Sequence, residues 1–184
     1  ITIGFLTLPF TLYNVLQVNV DWLVALGFLL PPRWGLFLLL LKPQIGAFLA
    51  LFWVIEAWRN GGVKQLAYTF GPVAVTFLIS FVIFGVYLTK SRHMVSDDIN
   101  NPNLWPFSIP VGLILLVISY RSHKSNLSIT ASPMLTPYIM PYSLPLAIFG
   151  LIPDQWMAGA GIVGMWLMML DSRYAYITSA LVDI

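Results

Sequence analysis

The sequence contains no cysteine and very few charged side chains. Of its 184 residues, 9% are Asp, Glu, Lys or Arg, whereas 59% are hydrophobic. The lack of cysteine excludes disulfides, thiolate metal ligands and a cysteine nucleophile. A soluble domain carries about a quarter charged residues, and a surface with far fewer charges would be poorly hydrated. The composition therefore excludes a soluble globular domain, a disordered chain and a nucleic-acid-binding protein, and it predicts an integral membrane protein.

The apolar runs predict an all-α fold, a polytopic membrane helix bundle. At about 20 residues per span, the length allows six or seven membrane segments, some of them short or broken by proline. The clearest span is 66–88. We expect residues 1–184 to form a single integral membrane domain. Because the sequence begins with Ile1 rather than Met, we also expect it to be processed or part of a longer chain.

Two topologies are compatible with the apolar segments on either side of Lys42-Pro43. Residues 34–58 could form one helix kinked at Pro43, with Lys42 in the apolar interior, where an unpaired charge costs several kcal/mol. Alternatively, the chain turns at Lys42 and returns as a short hairpin. Irregular backbone at membrane depth is tolerated only beside protein or a water-filled cavity. The hairpin is favoured because it gives the more asymmetric distribution of basic residues.

That distribution predicts the orientation of the chain in the membrane. The hairpin places six basic residues on one side, and basic loops are normally cytoplasmic; they are Arg33, Arg59, Lys64, Arg121, Lys124 and Arg173. Loop 89–103 would be extracytoplasmic, with Lys90 and Arg92 diluted by Asp97 and Asp98. We expect the chain to be integral to a prokaryotic plasma membrane.

Polar side chains within apolar segments are the candidate functional groups, because their insertion into lipid is costly. Gln17, Asn19 and Asp21 either line a polar pocket or lie in a headgroup-exposed loop in which Asp21 caps the next helix. Lys42 offers a point charge suited to phosphate, and Gln44 offers a donor and an acceptor. The alternative for Lys42 is a lysine that reaches the membrane surface at a helix break.

Four prolines follow one another at intervals of four residues from Pro133 to Pro145. In one straight helix they would remove four backbone hydrogen bonds. The spacing therefore predicts a kinked or partly unwound segment, which either borders a substrate cavity or only packs irregularly. Hydroxyl side chains nearby would satisfy the freed backbone groups; they are those of Ser132, Thr136, Tyr138, Tyr142 and Ser143.

Two further patterns bear on metals and on partners. Asp97 and Asp98, with nearby amides and His93, have the oxygen-rich chemistry of a divalent-cation site, but no ligand spacing repeats and a solvated loop is favoured. We expect no metal and no cofactor. Ala160 and Gly164 lie on one face of the last span, which suits close helix packing within the chain or against another membrane subunit.

The order of the polar motifs resembles the middle and C-terminal parts of GT-C-type glycosyltransferases, most closely glycosyltransferase family 87. The motifs are Leu16-Gln17-Val18-Asn19, Leu41-Lys42-Pro43-Gln44, Trp58-Arg59 and Ala131-Ser132-Pro133. They lie within residues 13–60 and 130–142. Leu16 replaces the glycine usual before the glutamine, and Met134 replaces the histidine that often follows Ser-Pro.

The resemblance implies transfer of a sugar from a polyprenyl-phosphate donor at the extracytoplasmic face. It implies that Gln17, Asn19, Lys42 and Gln44 line the donor cavity, and we add Asp21 because it adjoins them. It also implies an acidic catalytic base in an early extracytoplasmic loop. No residue matches that position, so the catalytic residues are unknown and an inactive relative is compatible with the sequence. The alternative is a non-catalytic subunit of a larger membrane complex.

Overall fold

The computed structural model describes residues 1–85, 105–171 and 175–182, and these ranges contain helices and no strand. The predicted all-α class is therefore confirmed. The predicted loop 89–103 and Arg173 lie outside the described residues. In chain order the α-helices are α1 (Thr2–Leu6), α2 (Pro9–Leu16), α3 (Asp21–Leu29), α4 (Pro32–Leu39), α5 (Pro43–Phe84), α6 (Ile109–Ser122), α7 (Asn126–Leu135), α8 (Pro145–Phe149), α9 (Gln155–Met168) and α10 (Ala175–Val182).

Prolines divide the apolar sequence into short helices. Pro9, Pro32, Pro43 and Pro145 are each the first residue of a helix, where a missing N–H costs nothing. In the described ranges only α5 is long and apolar enough to cross a membrane, and a second candidate arises if α2 and α3, bent by 107°, form one broken span. The prediction of six or seven membrane segments is thus not confirmed, because the helices between these breaks are much shorter than the apolar runs suggest.

Helix α5 is itself interrupted at Gly61–Gly62. Gly61 has φ −174° and ψ 16°, and Gly62 has φ 58° and ψ −144°. The Gly62 conformation is essentially restricted to glycine, so the sequence supplies the one residue type that permits this break. The portion before the break packs into the protein, whereas the apolar window after it is largely uncovered: only 11% of it is buried.

Helix α4 and the first part of α5 form the hairpin that was predicted from the distribution of basic residues. The chain leaves α4 at Leu39, and Lys42 stands immediately before the first residue of α5. A Cβ added at Gly46 would lie 2.9 Å from Leu39 Cβ, and one added at Gly35 would lie 3.0 Å from the Trp53 ring. Late residues of α4 therefore meet early residues of α5, which is an antiparallel arrangement and not one kinked helix.

The proline-rich segment is unwound as predicted. Helix α7 ends at Leu135, Thr136 is extended, and regular structure resumes only with a 3-10 turn at Pro141–Ser143. The Thr136 hydroxyl donates to the carbonyl of Pro133 at 3.3 Å, which Pro137 cannot satisfy because it has no N–H. The Ser132 hydroxyl donates to the Ser128 carbonyl at 3.0 Å. The carbonyl freed by Pro137 is thus satisfied locally, and the chain turns back toward α2 and α5.

Candidate functional site

The structure brings two of the predicted site residues, Asp21 and Lys42, into a buried ion pair. The Lys42 ammonium lies 2.5 Å from Asp21 Oδ1. The Asp21 residue is 0% exposed and Lys42 is 9% exposed. Asp21 belongs to the first turn of α3, after Val20, and makes no capping hydrogen bond. The headgroup-exposed loop with a capping Asp21 is therefore wrong for this residue, and so is a Lys42 that reaches the surface.

The unwound proline segment completes this polar core. Lys42 Nζ donates to Ser143 Oγ at 2.7 Å and lies 4.7 Å from the centroid of the Tyr142 ring. Asn14 Nδ2 donates to Asp21 Oδ2 at 3.0 Å and to the Tyr142 carbonyl at 2.7 Å. Five residues from three distant parts of the sequence therefore form one cluster, which we call the polar core.

The polar core is electrostatically balanced. Asp21 neutralises Lys42, and both carboxylate oxygens have a donor. An ammonium group has three N–H donors. Asp21 and Ser143 accept two of them, and the Tyr142 ring, a weak electrostatic partner, lies 4.7 Å away. Breaking such a pair leaves an uncompensated buried charge. These contacts hold the core in one arrangement. The third N–H of Lys42 would bind a stronger acceptor than the Tyr142 ring more tightly.

One polar atom in the core lacks a partner. Asn14 is only 2% exposed, and its Oδ1 atom makes no hydrogen bond within the described residues. A buried acceptor without a donor costs about 1–3 kcal/mol. Asn14 Oδ1 is therefore the point of the core at which a hydroxyl or an ordered water would be stabilising.

The other predicted site residues do not join the core. Gln17 is exposed and Asn19 is partly exposed, and they flank Val18, whose left-handed backbone (φ 47°) turns the chain between α2 and α3. Gln44 is partly buried, and its backbone carbonyl accepts from Thr136 Oγ1 at 3.5 Å. Any role of these three side chains in binding a substrate stays a prediction.

Sequence reasoning did not assign Asn14 or Ser143 to the site. Asn14 precedes Asp21 by seven residues, but the intervening turn hides the fact that the two side chains meet. Ser143 was expected to satisfy backbone groups, whereas it accepts from Lys42. A usable signal was available: a lysine inside an apolar hairpin requires an anion and further acceptors.

Elsewhere in the described parts of the chain, one imidazole meets one carboxylate: His123 Nδ1 lies 2.9 Å from Glu56 Oε1. Residues 1–85, 105–171 and 175–182 contain no group of three or more His, Asp or Glu side chains that could hold a metal ion. The oxygen-rich cluster at Asp97 and Asp98 lies outside these ranges.

No protein-family model, curated protein or solved structure matches this chain. The similarity to glycosyltransferase family 87 therefore rests on the sequence motifs quoted above.

Proposed function

We propose that this chain is an integral membrane protein related to GT-C glycosyltransferases and that its polar core binds the phosphate of a polyprenyl-linked sugar donor. The observation that carries this proposal is the meeting of the two sequence regions in which the family resemblance lies. Residues 13–60 and 130–142 are separated by about 70 residues, of which 86–104 are not described. In the described residues, side-chain hydrogen bonds join these two regions.

Three contacts join the regions, one of them from α2 and two from the first turns of α5. Asn14 donates to the Tyr142 carbonyl at 2.7 Å. The Phe48 backbone N–H donates to Ser132 Oγ at 3.2 Å. The Thr136 hydroxyl reaches the Gln44 carbonyl at 3.5 Å. Just beyond the second region, Ser143 completes the set through Lys42.

The chemistry of donor binding follows from the composition of the core. Asp21 pairs with Lys42 and holds it in a buried position, and the N–H directed at the Tyr142 ring would be available to a phosphate oxygen once that ring moves aside. A charge-assisted hydrogen bond of this kind stabilises phosphate by about 1.5–3 kcal/mol. In the transferase reaction it would also stabilise the charge that develops on the departing phosphate. The catalytic base remains unassigned.

The test is binding of a defined donor to the purified chain in a neutral detergent. The probe is farnesyl-phosphate mannose, and farnesol is the matched ligand without phosphate. We expect saturable binding of the phosphate compound and at least about tenfold weaker binding to Asp21→Asn/Lys42→Met, since tenfold corresponds to about 1.4 kcal/mol. This variant removes both charges together and so avoids an unpaired ion. Equal binding of farnesol, or unchanged binding by the double variant, would overturn the proposal.

A second candidate function is that of a non-catalytic subunit packed within a larger membrane complex. The observation that favours it is the uncovered second half of α5, on which Phe77, Leu78, Phe81 and Val82 are all exposed. On α9, a Cβ added at Gly164 would meet open space. Exposed apolar faces of this extent are covered by lipid or by protein.

The subunit role predicts a stable stoichiometric partner. Tagged chain extracted from its own membranes in mild detergent would then elute as a defined larger complex, and Gly164→Leu would reduce that complex while leaving the chain folded. Recovery of a monomer from its own membranes would contradict the subunit role without bearing on donor binding.

A further inference from the structure

The break in α5 opens a cleft that contains a basic side chain. The cleft has a volume of about 350 Å³ and is lined by Gly61, Lys64, Gln65 and Tyr68. This volume lies within the range of about 300–1,000 Å³ of small-molecule sites. Gly62 has no neighbour within 4 Å of an added Cβ, so the break creates open space rather than a packed bend.

Arg33, from the first turn of α4, lies beside this cleft, against one of its lining residues. Its guanidinium lies 4.3 Å from the centroid of the Tyr68 ring, and its Nε atom is buried with no hydrogen-bond partner among the described residues. Neither Arg33 nor Lys64 forms an ion pair with a carboxylate of the described ranges. Arginine stacked on a ring presents a planar set of donors that suits phosphate. The cleft and its edge thus carry two cations that have no ion-pair partner among the described residues.

An apolar surface starts directly beside these cations. Tyr68 and Phe84 lie 16 positions apart on α5, which corresponds to about 24 Å along a helix. One leaflet of a bilayer provides about 15 Å of hydrocarbon, half of the total core thickness. The exposed side chains between these positions, such as Phe77 and Leu78, could therefore cover an acyl chain along its full length.

We infer that the cleft at Gly61–Gly62 binds the phosphate headgroup of an anionic membrane lipid, with its acyl chains along the second half of α5. Arg33 and Lys64 hold the phosphate, and Tyr68 positions Arg33. This inference rests on the membrane placement proposed above but not on sugar transfer, because the cleft and the polar core share no residue. Basic pockets on the cytoplasmic side of membrane proteins recognise lipid headgroups by the same chemistry.

The test is lipid binding by delipidated full chain in neutral detergent, followed by native mass spectrometry. The probe is dioctanoyl phosphatidic acid, and dioctanoylglycerol is the matched lipid without phosphate. We expect one retained phosphatidic acid per chain and no retained dioctanoylglycerol. Each basic residue contributes about fivefold to binding of an anionic lipid, so Arg33→Gln/Lys64→Gln should weaken binding about 25-fold. Arg121→Gln/Lys124→Gln, the matched loss of two exposed charges, should leave it within about twofold.

A single variant separates loss of lipid binding from misfolding, and inorganic phosphate as a competitor separates recognition of the headgroup from recognition of the acyl chains. Lys64→Gln changes an exposed side chain and keeps the fold intact, so a fivefold loss in this variant alone also supports the site if Arg33→Gln fails to fold. Displacement of the lipid by millimolar inorganic phosphate would show that the phosphate group suffices, whereas its retention would show that the acyl chains are also recognised. Retention of dioctanoylglycerol, or equal losses in the two double variants, would overturn the inference and leave donor binding at the polar core unaffected.

Discussion

The ion pair between Asp21 and Lys42 allows the sharpest test of the fold. Asp21→Asn preserves the size of the side chain but removes its charge. Lys42 would then remain buried with Ser143, the Tyr142 ring and an amide oxygen as neighbours. Lys42→Met has the reverse effect, because it leaves the buried Asp21 carboxylate with only Asn14 as a donor.

The expected magnitude follows from burial and distance. The pair is separated by 2.5 Å, and its side chains are 11% and 0% exposed. Removing one member of such a pair costs about 3–5 kcal/mol, whereas replacing both by neutral groups of similar volume is often close to neutral. We therefore expect each single variant to lose about 3–5 kcal/mol of unfolding free energy and Asp21→Asn/Lys42→Met to lose far less than their sum.

The assay is unfolding by sodium dodecyl sulfate in neutral mixed micelles, followed by the fluorescence of the seven tryptophans. The matched control is Arg59→Gln. Its pair with Glu56 is longer, at 3.3 Å, and its side chain is 47% exposed, so we expect a loss below about 1 kcal/mol. Additive losses of less than 1 kcal/mol each at Asp21 and Lys42 would refute the reasoning, because they would mean that both charges remain solvated.

Three further substitutions test other contacts by the same unfolding measurement. Ser143→Ala removes a hydrogen bond to the Lys42 ammonium and should cost about 1.5–3 kcal/mol; no change would mean that this bond is absent. Gly35→Ala would place its Cβ against the Gly27 carbonyl oxygen and 3.0 Å from the Trp53 ring, and should cost about 1–3 kcal/mol; a gain in stability would contradict the antiparallel hairpin. Gly62→Ala forces alanine into a backbone conformation reserved for glycine and should cost about 1–3 kcal/mol; a neutral result would argue for a continuous helix.

Two control variants accompany these substitutions. The Ser122 hydroxyl is exposed and bonds only to the Ile118 carbonyl of its own helix, so Ser122→Ala should change stability by less than about 0.5 kcal/mol. Gly159 lies within α9 and has open space around an added Cβ, and Gly159→Ala should stabilise the helix by up to about 1 kcal/mol. A loss at Gly159 comparable to that at Gly62 would remove the distinction between the two positions.

Local physics made part of this fold predictable from the sequence. The four prolines from Pro133 to Pro145 forbid a continuous helix wherever they lie, so the unwound segment could be anticipated. The distribution of basic residues along the chain likewise favoured a hairpin at Lys42-Pro43 over one kinked helix. Neither prediction requires knowledge of contacts between distant side chains.

The rest depends on contacts between distant parts of the chain, which periodicity does not record. Asn14 meets Tyr142, and Lys42 meets Ser143, only because α2, α5 and the proline segment fold together. The number of membrane segments was overestimated for a related reason: hydropathy measures apolar length, whereas proline decides where a helix begins. The break at Gly61–Gly62 does not change the hydropathy pattern of the sequence. The sequence therefore did not predict the break or the basic cleft beside it.

The most direct test of the account is whether residues 13–60 and 130–142 meet in a native membrane. The chain has no cysteine, so the pair Phe48→Cys/Ser132→Cys can report this contact without background from other thiols. The Phe48 backbone nitrogen lies 3.2 Å from Ser132 Oγ, so the two residues are direct neighbours. Because a disulfide also requires a particular Cβ geometry, the suitable cross-linker is a flexible bifunctional thiol reagent. We predict that this reagent cross-links the pair rapidly in membranes and leaves each single-cysteine variant unchanged. A double variant that is present in the membrane but forms no cross-link would contradict the meeting of these two regions and, with it, the polar core.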